Sequence, residues 1–154
     1  MAPEFTGNVQ VARKPEEVFA YVADFTRHSE WANSKLAIKK VSDGATGVGS
    51  KFHSDQDFRG KDVSAEITVT TYDNPSTLRF VAAEKEIDFE HTFTFKPSGD
   101  GTLVTRTNRP TPSRMSGAKK AISSLMLPLF KGAIQKDMNT TLDNLKRAME
   151  KDAR

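Results

Sequence analysis

The feature that most constrains this chain is a change of period along it. From Lys35 to Arg109 apolar and polar residues alternate in short stretches; after Pro110 and Pro112 the apolar residues recur every three or four positions. A period of two suits strands with one buried face, and a period near 3.6 suits an amphipathic helix. The clearest alternating rows are Val63, Ala65, Ile67, Val69 and Ile87, Phe89, His91, Phe93, Phe95. Turn signals separate the stretches at Asp43-Gly44, Gly47-Val48-Gly49, Arg59-Gly60-Lys61, Asp73-Asn74-Pro75-Ser76 and Pro97-Ser98-Gly99-Asp100-Gly101. This spacing predicts an antiparallel meander of about six strands, with sequential strands paired as neighbours. The second regime runs Ile122, Leu125, Met126, Leu129, Ala133, Met138, Leu142, Leu145, Met149, with one five-residue step in it. It predicts a long amphipathic helix, which Pro128 should kink or divide.

Upstream of the meander, Phe5, Gly7, Val9 and Val11 share one face of a first strand. Lys14-Pro15-Glu16-Glu17 starts a helix, with proline in its first turn and acids where the helix dipole favours them. Val18, Phe19 and Val22 form its inner stripe, and Asp24 and Thr26 are N-cap candidates for a second short helix ending at Trp31. No internal repeat or linker interrupts the 154 residues, so the expectation is one domain over 1–154. The fold class is α+β: about seven curved antiparallel strands wrapped around a long C-terminal helix, with two short helices between strands 1 and 2. A sheet with one apolar face needs a cover, and the long helix is the only element large enough to supply it. A cavity between sheet and helix is then expected.

Composition narrows the partners. Lysine and arginine number 23 against 20 aspartates and glutamates, a net charge of +3 with the basic residues scattered. Nucleic-acid binders concentrate their cations, so no nucleic-acid partner is expected. The chain has no cysteine, so disulfides and thiolate metal sites are excluded, and His28, His53 and His91 lack metal-ligand spacing. No signal peptide is visible, and no run approaches the roughly 18 apolar residues of a membrane span. A soluble cytoplasmic protein without metal or cofactor is the expectation, and nothing in the sequence specifies an oligomeric state.

In order along the chain, several stretches resemble the START-like superfamily of polyketide cyclases and dehydratases, plant pathogenesis-related allergens and lipid-transfer domains. They are Lys14-Pro15-Glu16-Glu17-Val18-Phe19, Asp24 to Trp31, Gly47-Val48-Gly49-Ser50-Lys51-Phe52, Tyr72-Asp73-Asn74-Pro75 with Leu78-Arg79-Phe80, Gly101-Thr102-Leu103-Val104-Thr105, and Leu142-Asp143-Asn144-Leu145-Lys146. The resemblance covers nearly the whole chain and implies a helix-grip fold with a ligand cavity. Its motifs are structural, so they imply no particular reaction.

Candidate site residues follow from the strand rows. His91 shares a face with Phe89, Phe93 and Phe95, either as a satisfied core histidine or as a polar contact for a ligand. Gln56 shares a row with Phe52, Ser54 and Phe58; the opposite row, His53, Asp55 and Asp57, would bring three polar groups inward. Arg106 and Arg109 fall on opposite faces of the seventh strand, each either a solvated arginine on an outer face or, for one of the two, a contact for a ligand carboxylate. Trp31 either walls the cavity mouth or staples the helices to the sheet. Met126 and Phe130 are expected to close the cavity from the helix, and Phe80 completes the set of candidate contacts. The glycine-rich Gly44–Lys51 stretch lacks a P-loop ending and is read as a loop, a candidate gate.

Three functions fit these residues: binding of a small hydrophobic molecule (lipid, polyketide or similar), a cyclase or dehydratase using His91 as acid or base, and an interaction or stress-response protein with only a small cavity.

Overall fold

A computed structural model of the chain describes residues 4–58, 60–112 and 114–151, apart from the side chains of Phe58, Ser123, Ser124 and Leu127. Strand β1 (Phe5–Val11) leads into helix α1 (Pro15–Ala23) and a 3₁₀ helix (Phe25–Glu30). Six strands follow: β2 (Lys35–Lys40), β3 (Lys51–Phe58), β4 (Lys61–Asp73), β5 (Thr77–Ala83), β6 (Asp88–Ser98) and β7 (Gly101–Thr111). Helix α2 spans Gly117–Lys151. The seven strands form one antiparallel sheet in the order β1-β7-β6-β5-β4-β3-β2. The helix-grip architecture and the sequential meander expected from the period change are both present, because short turns let each strand from β3 to β7 pair with its predecessor. Ile87 falls just before β6 rather than within it.

The rows face as their polarity requires. Phe52 and Ser54 are buried while His53 turns outward, where its ring meets Glu66 at 2.5 Å and Asp55 at 3.2 Å. On β4 the buried set is Ala65, Ile67 and Val69; on β6 it is Phe93 and Phe95. Phe19 of α1 packs edge-on against Tyr72 and Phe95, with ring centroids 5.1 and 5.4 Å apart.

Helix α2 departs from expectation in two respects. Of the two effects expected of Pro128, division is absent, and the helix runs through it as one element. That proline lies in an exposed stretch, where solvent can satisfy the carbonyl deprived of its partner. The helix also covers the sheet with only its second half. Met138, Leu142, Leu145 and Met149 are 5% exposed or less, whereas Ile122, Leu125, Met126, Leu129 and Phe130 are 41–78% exposed. Close packing of the covering half depends on Gly7 of β1, where an added Cβ would stand 3.0 Å from Leu142 Cδ1. The loop over 44–50 is tied to β4 at its C-terminal end: Gly49 N donates to Val69 O at 2.8 Å, and Val69 N donates to Ser50 O at 3.0 Å.

Candidate functional site

A partly open pocket of about 270 Å³ lies on the concave face of the sheet. Its floor comes from alternate residues of six strands: Leu36 and Ile38 on β2, Ser54 and Gln56 on β3, Ile67 on β4, Phe80 and Ala82 on β5, His91 on β6 and Arg106 on β7. One wall is the segment from His28 to Ser34, and the other is Asp137 and Thr141 of α2. Asn33 joins the two walls, with its Nδ2 donating to Asp137 Oδ1 at 3.3 Å. Gln56 is held at the floor by donating from Nε2 to Ser34 Oγ at 2.6 Å.

Sheet register assembles the polar centre. His91 pairs across the ladder with Phe80 and stacks on its ring, with centroids 4.9 Å apart. Arg106 pairs with Phe93 and places its guanidinium carbon 5.3 Å from that ring's centroid. From there Arg106 Nη2 donates to His91 Nδ1 at 3.1 Å. An arginine nitrogen has no lone pair to offer, so Nδ1 must be the acceptor and the neutral His91 ring carries its proton on Nε2. Burial, then the Arg106 charge and then His28, hold the His91 pKa well below the usual imidazole value. The ring is therefore uncharged at neutral pH and offers a donor at Nε2.

His28 repeats this logic on the facing wall. Its Nε2 donates to the Val22 carbonyl at 2.7 Å, and burial lowers its pKa to about 4 despite that bond. Rings of Phe25 and Trp31 flank it, each with its centroid 4.8 Å away. Burial also lowers Arg106, to about 10, which leaves it a cation at neutral pH. Among the described residues no carboxylate pairs with Arg106. Its Nε, and the Nε1 of the buried Trp31, have no hydrogen-bond partner. Unpaired buried donors of this kind are costly and call for an explanation.

The structure brings together five of the residues singled out from sequence, Trp31, Gln56, Phe80, His91 and Arg106. Phe52 and Phe93 pack in the core beneath the pocket, and half-buried Phe89 stands beside His91 with its ring centroid 6.5 Å away. Met126 and Phe130 are surface residues outside the pocket rather than its lid. The side chain of Phe58 lies outside the described residues. Arg109 points away, 3.6 Å from Glu4 and 3.7 Å from Glu90, so Arg106 is the arginine of the pair that enters the pocket. Sequence reasoning missed His28, Leu36, Ile38 and Asp137 as lining residues. For His28 a signal existed: residues three apart eclipse on a 3₁₀ helix, so placing Trp31 at the pocket places His28 with it.

Comparison with known proteins agrees with this architecture. The Zhui aromatase/cyclase from Streptomyces sp. R1128 superposes with a TM-score of 0.79 at 11% identity, over 100% of this chain and 97% of that one. TTHA0849 from Thermus thermophilus gives 0.78 at 19% identity, over 99% of this chain and 100% of that one. A START superfamily protein from Mycobacterium smegmatis gives 0.73 at 16% identity, over 96% and 97%. At such identities the likeness is one of fold. No curated protein sequence matches the chain significantly. A family model described as polyketide cyclase / dehydrase and lipid transport matches residues 2–150. With nearly its whole length matched, and with the sheet, grip helix and pocket in place, the chain belongs to the polyketide cyclase / dehydrase and lipid transport family.

Proposed function

We propose that the chain binds a small, mostly apolar molecule in this pocket, with an oxygen-bearing end of that molecule seated against Arg106 and His91. The observation that carries the reading is Arg106 itself, a half-buried guanidinium on the pocket floor with no carboxylate partner among the described residues and one unpaired donor. Burial disfavours its charge, and a ligand oxygen accepting from Arg106 and from His91 Nε2 offsets that cost. Leu36, Ile38, Ile67, Phe80 and Ala82 supply the apolar remainder of the contact. A few convergent polar groups within apolar walls are the common pattern of small-molecule sites.

The test uses naphthoic acid and naphthalene as probes, with binding read by calorimetry and co-purified ligands read by native mass spectrometry. The acid is expected to bind better than the hydrocarbon. Arg106→Met is expected to weaken the acid by roughly 10- to 100-fold, the worth of a charged hydrogen bond, and to leave the hydrocarbon unchanged. Equal binding of the acid by wild type and variant, or a pocket that takes up neither probe, overturns the reading.

The same pair of donors favours a second reading, cyclase-type chemistry in which they hold and polarise a substrate carbonyl oxygen. In it His91 polarises a carbonyl and abstracts no proton, because Nδ1 is occupied by Arg106 and Nε2 already carries hydrogen.

A further inference from the structure

The first half of α2 presents an apolar stripe that the fold does not use. Ile122, Leu125, Met126 and Leu129 follow one another at helical spacing, and they are 61, 78, 41 and 73% exposed. Scattered apolar residues are normal on a protein surface, but a contiguous row of large ones marks a contact site. Nor is this row a loose extension of the core. A helix turns about 100° per residue, so the single five-residue step from Ala133 to Met138 rotates the apolar line by roughly 140°. The exposed stripe and the buried stripe of Met138, Leu142, Leu145 and Met149 therefore occupy nearly opposite faces of one helix. The sequence specifies two apolar faces, and the sheet takes one of them.

Charge identifies what the other face meets. From Gly101 to Lys136 the chain contains no aspartate or glutamate, while the first half of α2 carries Lys119, Lys120, Lys131 and Lys136. Glu86 offsets Lys119; among the described residues the other three have no acidic partner in an ion pair. A symmetric dimer through this face would set the cationic helix against its own copy, with three of its four lysines on each side left without an acidic ion-pair partner among the described residues. An anionic surface that also accepts apolar side chains suits the face better.

We infer that the first half of α2 docks on the surface of an anionic lipid bilayer, with Ile122, Leu125, Met126 and Leu129 inserted at the headgroup boundary. This is surface attachment, since no helix among the described residues is long and apolar enough to cross a membrane. Lys119 and Lys136 lie towards the apolar side of the helix and reach the headgroups first, while Lys120 and Lys131 act from the back of it. The stripe also leads towards the pocket. Met126, Phe130, Asp137 and Thr141 are spaced by 4, 7 and 4 residues and share a face, and the last two wall the pocket. Docking thus sets the pocket wall, from Asp137 onward, about two helical turns (~12 Å) beyond the last inserted residue, Leu129.

Co-sedimentation of the full chain with vesicles of phosphatidylcholine, with and without phosphatidylglycerol, tests this. Binding is expected only when phosphatidylglycerol is present and should weaken as salt is raised. The double variant Leu125→Ser/Leu129→Ser should bind the anionic vesicles at least about tenfold less, because each leucine loses its apolar transfer. Lys120→Glu/Lys131→Glu should weaken binding as well, and both variants should keep the wild-type thermal midpoint. Arg106→Met should sediment like wild type, which separates failure here from failure of the ligand reading. No binding to anionic vesicles, or equal binding by the leucine variant, overturns the inference. So does a dimer, seen in sedimentation velocity without lipid, that the leucine variant dissolves.

Discussion

His28 and His91 give the pocket polarity without adding charge, and this has a consequence for stability. Both are neutral because burial disfavours the imidazolium, and Arg106 opposes it further. In the unfolded chain each titrates near 6.5, whereas His28 in the folded chain titrates at about 4. Between these values the unfolded state holds a proton that the folded state does not, so stability falls as pH falls. The loss attributable to His28 reaches roughly 3 kcal/mol at the bottom of the window, and His91 adds to it in the same direction. Urea unfolding at pH 7 and pH 5 should show the drop, and His28→Asn should shrink it. An unchanged pH slope in that variant would refute the assignment. Residue by residue, the sequence was readable where a strand row carried the signal, as for Gln56, His91 and Arg106. It was silent on Asp137, which reaches the pocket through the packing of separate elements, and packing leaves no periodic trace in a chain; His28 was legible only through its three-residue spacing from Trp31.

At the level of elements, β1 to β7 and both short helices follow from periodicity and turn residues, because each is specified by its own local sequence. Helix α2 was only half legible. Its period showed an amphipathic helix, but a period says that a helix has an apolar side and not which neighbour takes it. The turn of that side between Ala133 and Met138 was present in the spacing, and its meaning became visible only beside the sheet. The two halves should respond differently to the same change. Leu142→Ala, at a site 1% exposed, should cost about 2–5 kcal/mol. Leu129→Ala, at a site 73% exposed, should stay within about 0.5 kcal/mol. Chemical denaturation of the two variants decides this, and equal losses would mean that the first half is packed after all.

For the whole molecule, the open sheet has two edges, β1 and β2, and they are treated differently. Strand β1 lies under the buried half of α2, with Gly7 against Leu142. Strand β2 is the last in the order, paired only with β3, and carries Lys35, Lys39 and Lys40, charges that discourage a further strand from adding there. Yet β2 contributes Leu36 and Ile38 to the pocket. Native-state amide exchange should therefore be faster in β2 than in β5 or β6, and a bound ligand should slow it there most. Uniform protection across the sheet would count against that. A cavity walled by its least anchored strand also separates two properties that are often confused. On the proposed reading, the inner strands β6 and β7, which hold His91 and Arg106, would set how firmly a guest is kept. Residence time would instead follow the rim, where β2 is held in the sheet by its single ladder to β3.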